Sequence, residues 1–192
     1  MKFSADWFSH NMEGIIHCFS KLQNRNRFLE IGSYEGLSTT WFIKNYLDDN
    51  GTITCIDTFL GSTEHESFIS DKLYETFMSN VNEIIGKDQT LQVMQKKSYL
   101  ALAELIVKEE KFDFIYIDGC HDTSDVLTDA VMSWPLLNSG GIMIFDDYTW
   151  GYPQPGVSQF QSPKTGIDAF GQAFNNQFTQ LLVADQIGIM KI

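Results

Sequence analysis

The sequence predicts an α/β fold: a doubly wound, mostly parallel sheet of seven strands, with helices on both faces and an antiparallel hairpin at the C-terminal end. Three observations carry that prediction. Apolar runs rich in β-branched and aromatic residues alternate with amphipathic stretches along the 192 residues, the pattern of β–α steps joined by right-handed crossovers. Four of the five strands so read end in a carboxylate. The first of them also runs directly into a turn holding Gly32 and Gly36, which opens a helix.

Each element has its own reason. Met12–Leu22 places Met12, Ile15, Ile16, Phe19 and Leu22 on one helical face, so residues 1–26 form a helical segment covering the sheet or a substrate site. Strand one is Arg27–Ile31, and a helix over Leu37–Asp48 stops at Asn50-Gly51. Thr52–Asp57 is strand two. After a polar loop, Ile69, Leu73, Phe77, Val81 and Ile84 mark a long amphipathic helix ended by Gly86. Leu91–Gln95 and a helix over Tyr99–Glu109 follow. Phe112–Asp118 is a near-continuous apolar run, as expected of a central parallel strand. A helix over Thr123–Trp134 halts at Pro135, Leu136–Gly141 turns the chain, and Ile142–Asp146 is strand five. Asp147–Pro163 holds three of the four prolines and four aromatic residues, a long loop of the kind that carries function. A helix over Gly166–Asn176 and two strands, Phe178–Val183 and Ile187–Lys191, close the chain as a hairpin.

Composition narrows the function. A formal net charge of −12 argues against nucleic acid or an anionic membrane as the main partner. Three cysteines without a CxxC pattern read as reduced thiols of a cytoplasmic protein. The first 30 residues lack a sustained apolar core, so no signal peptide is expected, and no run approaches a membrane span. With 43% hydrophobic residues and no linker, one domain is expected.

Ligands of open α/β sheets sit outside the carboxyl ends of the strands. There the chain places Glu30, Asp57, Asp118, Asp146 and Asp147. One acid alone is more often a helix cap, but so many on one rim repel unless a cation or hydroxyl donors offset them. The loop spacing is Gly32-x-x-x-Gly36, with Tyr34 and Glu35 where a pyrophosphate needs small neutral residues, so a nicotinamide dinucleotide is disfavoured. S-adenosylmethionine fits better: it has a ribose, no phosphate and a cationic sulfonium. Asp57 is placed to accept its ribose hydroxyls, and Glu30 to lie near its methionine end.

With Glu30-Ile31-Gly32-Ser33-Tyr34-Glu35-Gly36, Ile56-Asp57-Thr58-Phe59, Ile117-Asp118-Gly119-Cys120-His121 and Phe145-Asp146-Asp147-Tyr148, the chain resembles the class I S-adenosylmethionine-dependent methyltransferases. More narrowly, it is similar to a small bacterial group related to macrolide-sugar and catechol-type O-methyltransferases. The resemblance runs from about Trp7 to the C-terminus and implies a Rossmann-like methyltransferase domain over residues 1–192. It implies that Glu30, Gly32, Ser33, Tyr34, Gly36, Ser38, Asp57, Thr58, Phe59, Ser98 and Asp118 hold the cofactor. Asp118, Asp146 and Asp147 are implied to bind Mg²⁺ or another divalent cation, with His121 as general base and Asp118 as its catalytic neighbour.

Elementary chemistry agrees. Methyl transfer to oxygen needs a nucleophile that has lost its proton and lies in line with the S–CH₃ bond; a bound cation and an imidazole together provide this. His121 could instead be a solvated residue at a helix start. Asp146 and Asp147 are adjacent, so they can share an ion only if the backbone bends directly after the strand. Many class I enzymes place an acid beside the adenine just before the helix that follows strand three; Lys96-Lys97-Ser98 has none, leaving Ser98 and Phe59. Glu64 and His65 are minor candidates to reach the metal. The expected activity is metal-assisted methylation of a hydroxyl on a small acceptor, a sugar or a phenol, in a protein that could dimerise. A metal-independent or N- or C-directed methyltransferase, and a non-catalytic S-adenosylmethionine-binding protein, remain open alternatives.

Overall fold

The structure is a computed structural model that describes residues 1–61, 72–151, 158 and 160–192. Its centre is a seven-stranded sheet in the order β3-β2-β1-β4-β5-β7-β6. The strands are β1 (Arg27–Ile31), β2 (Thr52–Asp57), β3 (Thr90–Gln95), β4 (Phe112–Ile117), β5 (Leu137–Phe145), β6 (Phe178–Val183) and β7 (Ile187–Lys191). The first five are parallel; β7 pairs antiparallel with β5 and β6. The helices are α1 (Met12–Phe19), α2 (Leu37–Asn45), α3 (Leu73–Ile84), α4 (Ser98–Val107), α5 (Thr123–Ser133) and α6 (Pro163–Ala173).

Both faces of the central strands are buried, which explains their uninterrupted apolar runs. Along β1 and β4 successive side chains alternate between two cores. Leu29, Ile115 and Ile117 pack with Leu102 of α4, Val126 of α5 and Phe170 of α6. Phe28, Phe114 and Tyr116 pack with Phe19 of α1, Phe42 of α2 and Phe77 of α3. Tyr116 and eight phenylalanines of these cores are almost wholly inaccessible, each a large apolar contribution to stability.

The predicted elements are present with shifted ends. α1 stops at Phe19 rather than Leu22, and α2 at Asn45 rather than Asp48. β5 begins at Leu137, so Asn138-Ser139-Gly140-Gly141 belongs to the strand. A register shift between Phe112 and Phe114 takes up those residues, with Gly140 at φ 76°. The part of the third helical stripe at Ile69 lies outside the described residues. Among the described residues no helix is long and apolar enough to cross a membrane.

The sheet crossing from β1 to β4 creates the ligand rim. Gly32, at φ 84°, passes so close to β4 that a Cβ there would lie 1.9 Å from the Asp118 carbonyl oxygen. No other residue fits this position.

Candidate active site

The loop after β1 is built by two carboxylates below it. Glu30 lies inside the strand, not beyond it, and is 1% exposed. Its side chain lies beneath α2, where it accepts bonds from the hydroxyls of Ser33 and Ser38, both 2.6 Å, and of Thr39. The Cys55 thiol approaches it at 3.6 Å. Burial raises the Glu30 pKa, and the three hydroxyls work against that rise. Glu30 is thus occupied in fastening the loop to α2. Ser38 serves Glu30, and Gly36 at φ 84° takes the capping position of α2.

Asp57, the last residue of β2, holds the other side of the loop. Its Oδ2 accepts the backbone N–H of Ser33 and of Tyr34 at 2.8 Å each, and Oδ1 that of Phe59 at 2.7 Å. The left-handed backbone at Tyr34, φ 47°, is held by these bonds. Thr58 accepts the N–H of Leu60. Phe59 does not face the rim: it is buried, its ring 5.1 Å from that of Phe77 and 5.2 Å from that of Tyr74. It packs into the core beside α3 and offers no stacking surface. The N-terminal segment lies against this same loop. Ser4 N–H reaches Glu35 at 2.5 Å, Trp7 meets the Tyr34 ring at 5.3 Å, and Asn80 of α3 donates to the carbonyls of Lys2 and Glu35.

Across the rim, the ends of β4 and β5 bring three groups together. Ligand atoms of Asp118, His121 and Asp147 lie within 4.8 Å of one another. His121 Nε2 stands 2.9 Å from Asp147 Oδ2, and the Trp150 ring packs at 4.6 Å from the imidazole. The chain reaches this arrangement because it bends at Asp147, whose φ is 57°; aspartate tolerates that left-handed backbone better than most residues. Neighbouring bonds secure the bend. Tyr148 N–H donates to the Asp185 carbonyl at 2.7 Å, and the Tyr148 hydroxyl bonds Asp168 of α6 at 2.9 Å.

Asp146 does not join them. Its carboxylate turns inward, 7% exposed, and accepts from Asn11 Nδ2 at 2.9 Å, Gln186 Nε2 at 3.0 Å, the Tyr116 hydroxyl and the N–H of Asp147. Three of these donors meet Oδ1 and the Tyr116 hydroxyl meets Oδ2. At this rim, among the described residues, the groups whose ligand atoms approach one another are Asp118, His121 and Asp147. Two carboxylates and an imidazole are a donor set that fits a divalent cation, with more transition-metal character than an all-oxygen site.

The rim is electrostatically loaded. Asp118 has its pKa pushed well above the ordinary carboxylate value by burial, then by the charges of Asp146, Asp147, Glu30 and Asp57. Burial and Asp147 also raise Asp146, opposed by its bonds to Tyr116 and Gln186. A positive ligand would relieve this repulsion.

Ser98 is the first residue of α4, and its side chain works against the rise of the Asp129 pKa on α5, which burial lifts to about 7. Tyr116 and Gln186 went unrecognised in the sequence, as single polar residues outside every motif; Asn11 and Trp150 lie in the segments before α1 and after β5 that the sequence offers for covering or shaping a substrate site. Glu64 and His65 lie outside the described residues.

A family model described as a methyltransferase domain matches residues 29–148, from β1 through the bend at Asp147. The chain belongs to the methyltransferase domain family. No curated protein matches it in sequence. Solved structures share its class I methyltransferase fold. An O-methyltransferase from Bacillus cereus, in complex with S-adenosylhomocysteine, superposes with a TM-score of 0.69 at 20% identity, over 98% of this chain and 84% of that one. The O-methyltransferase TomG from Streptomyces achromogenes, involved in tomaymycin synthesis and in complex with S-adenosylmethionine, gives 0.65 at 16% identity, over 96% and 81%. A ribosomal protein L11 methylase from Lactobacillus delbrueckii subsp. bulgaricus gives 0.57 at 16% identity, over 96% and 80%.

Proposed function

We propose that the chain, acting as one methyltransferase domain in the cytoplasm, transfers the methyl group of S-adenosylmethionine to a hydroxyl of a small acceptor. The observation that carries this reading is the His121–Asp147 pair beside Asp118, set across the rim from the Gly32–Gly36 loop.

In this reading the loop seats the cofactor, with the backbone of Gly32 to Gly36 in a shape fixed from below by Glu30 and Asp57. Three of the acceptor positions of Asp57 are already filled by backbone N–H groups, so it accepts one ribose hydroxyl rather than two. Asp118 and Asp147 would hold a divalent cation such as magnesium, which would lower the pKa of an acceptor hydroxyl when bound, while His121 stays off the ion to act as base. An imidazole bonded to a carboxylate is fixed in orientation and strengthened as a proton acceptor. His121 so held takes the acceptor proton, Asp147 stabilises the resulting imidazolium, and the Trp150 ring limits how the acceptor approaches. The lost proton leaves an alkoxide or phenoxide that attacks the methyl carbon as the S–C bond breaks, releasing S-adenosylhomocysteine.

The test is a methyl-transfer screen over small sugars and phenols, with Mg²⁺, with Mn²⁺ and with EDTA, alongside calorimetric titration of S-adenosylhomocysteine. His121→Ala is expected to lower kcat by about a hundredfold or more while leaving nucleoside affinity within about twofold. Asp118→Asn is expected to abolish turnover. Full activity of both variants in saturating EDTA would overturn the metal and base roles, and absence of S-adenosylhomocysteine binding would overturn the cofactor.

A further inference from the structure

α4 is apolar on two opposite sides. Ala101, Leu102 and Leu105 are buried in the core beneath it. On the far side Tyr99, Leu100 and Val107 are 47%, 48% and 84% exposed, with Ala103 exposed between them. A spacing of three to four residues sets these four on one stripe. A helix that is apolar all round is normally covered all round, yet the outer stripe of α4 lies open. The two ends of the stripe carry unlike charges. Lys97 precedes the helix and Glu109 follows it, both exposed. Neither takes part in an ion pair among the described residues.

We infer that this face pairs with the same face of a second copy of the chain, α4 antiparallel to α4, about a two-fold axis at Ala103. The segment is self-complementary in the way such an axis demands. Turned end for end about Ala103, residue 97 meets 109, 99 meets 107 and 100 meets 106. That sets lysine against glutamate, tyrosine against valine, and leucine against isoleucine. Ala103, the smallest side chain of the stripe, falls at the crossing and lets the helix axes approach to about 8 Å. Parallel pairing would instead set lysine on lysine and glutamate on glutamate, which is repulsive. An anionic membrane is the poorer occupant, since the chain carries a net charge of −12. The stripe is small beside the roughly 800 Å² per partner of a standard interface, so the dimer is a weak one. None of this depends on the cofactor or the metal.

The experiment is sedimentation equilibrium of the full chain at about 0.15 M salt, where charges are screened beyond about 8 Å. The wild type is expected to dimerise with a Kd of about 10–100 µM, the weak end of the range for protein pairs. Ala103→Arg keeps a good helix former at an exposed position. It places two guanidinium groups on the axis, and should weaken association about a hundredfold or more. Lys97→Glu and Glu109→Lys should each weaken it about fivefold or more, and the two together should restore it to within about twofold. Recovery in the double variant cannot come from misfolding, so this series decides even if Ala103→Arg fails to fold. A wild type that stays monomeric to about 1 mM overturns the inference, as does a dimer that Ala103→Arg and the charge reversals leave unchanged. A monomer that floats with phosphatidylcholine–phosphatidylglycerol vesicles also overturns it, in favour of a membrane.

Discussion

Asp129→Asn should change how the stability of the ligand-free protein depends on pH. The carboxyl titrates near its ordinary value of 3.8 when unfolded and at about 7 when folded, with burial the main cause. Between those values the folded chain keeps the proton and the unfolded chain has lost it. Unfolding then releases a proton, and stability falls as pH rises, by about 1.4 kcal/mol per unit. Over roughly three units this amounts to about 4 kcal/mol, all of it lost by pH 7 to 8 and fully present below pH 4. Asparagine has no proton to lose. The stability of the variant relative to wild type should therefore rise by about 4 kcal/mol from pH 4 to pH 8, with most of the change above pH 5. Urea denaturation of both chains at half-unit intervals measures this, and taking the difference cancels the other titrating groups. Parallel stability curves, agreeing in shape to within about 0.5 kcal/mol, would refute the raised pKa.

Two further substitutions probe the loop. Gly32→Ala forces a Cβ to 1.9 Å from the Asp118 backbone at φ 84°, where neither partner is a flexible side chain; a loss of about 3 kcal/mol or more, or failure to fold, is expected in thermal melts. Glu30→Ala removes the common acceptor of the Ser33, Ser38 and Thr39 hydroxyls. A cost of about 3–5 kcal/mol in urea unfolding and weaker S-adenosylhomocysteine binding should follow, and an unchanged midpoint would contradict the role given to this carboxylate.

Much of the fold is legible in the chain because burial on both faces leaves a mark. Phe28-Leu29 and Phe112–Ile117 are apolar at every or nearly every position, and the strand-to-helix turn is marked by Gly32 and Gly36. The ends are less legible, since Asn138 to Gly141 carries turn residues yet is absorbed into β5 by a register shift. That acids gather near the strand ends was readable, but where each one faces was not. Asp146 and Asp147 are adjacent and chemically identical. A left-handed backbone at Asp147 and the donors of Asn11, Tyr116 and Gln186 send one outward and the other inward. Those donors come from three distant segments, so no local pattern announces them. Asp129 was hidden in the same way, as a polar residue in a helix whose depth depends on how α4 and α5 meet.

The pairing order of the sheet has a consequence for how the protein is made. β1 emerges from the ribosome well before β4, and its second edge waits for that strand, with Ile31 in register with Ile117. At roughly 5–20 residues per second, several seconds of synthesis separate the two. During that interval β1 and β2 present an open parallel edge, and the loop at Gly32 lacks the backbone it is shaped to pass. Such non-local pairing forms slowly once it can form at all. A nascent chain stalled before residue 112 would therefore carry the glycine loop motif in full and still have no rim on which to bind anything.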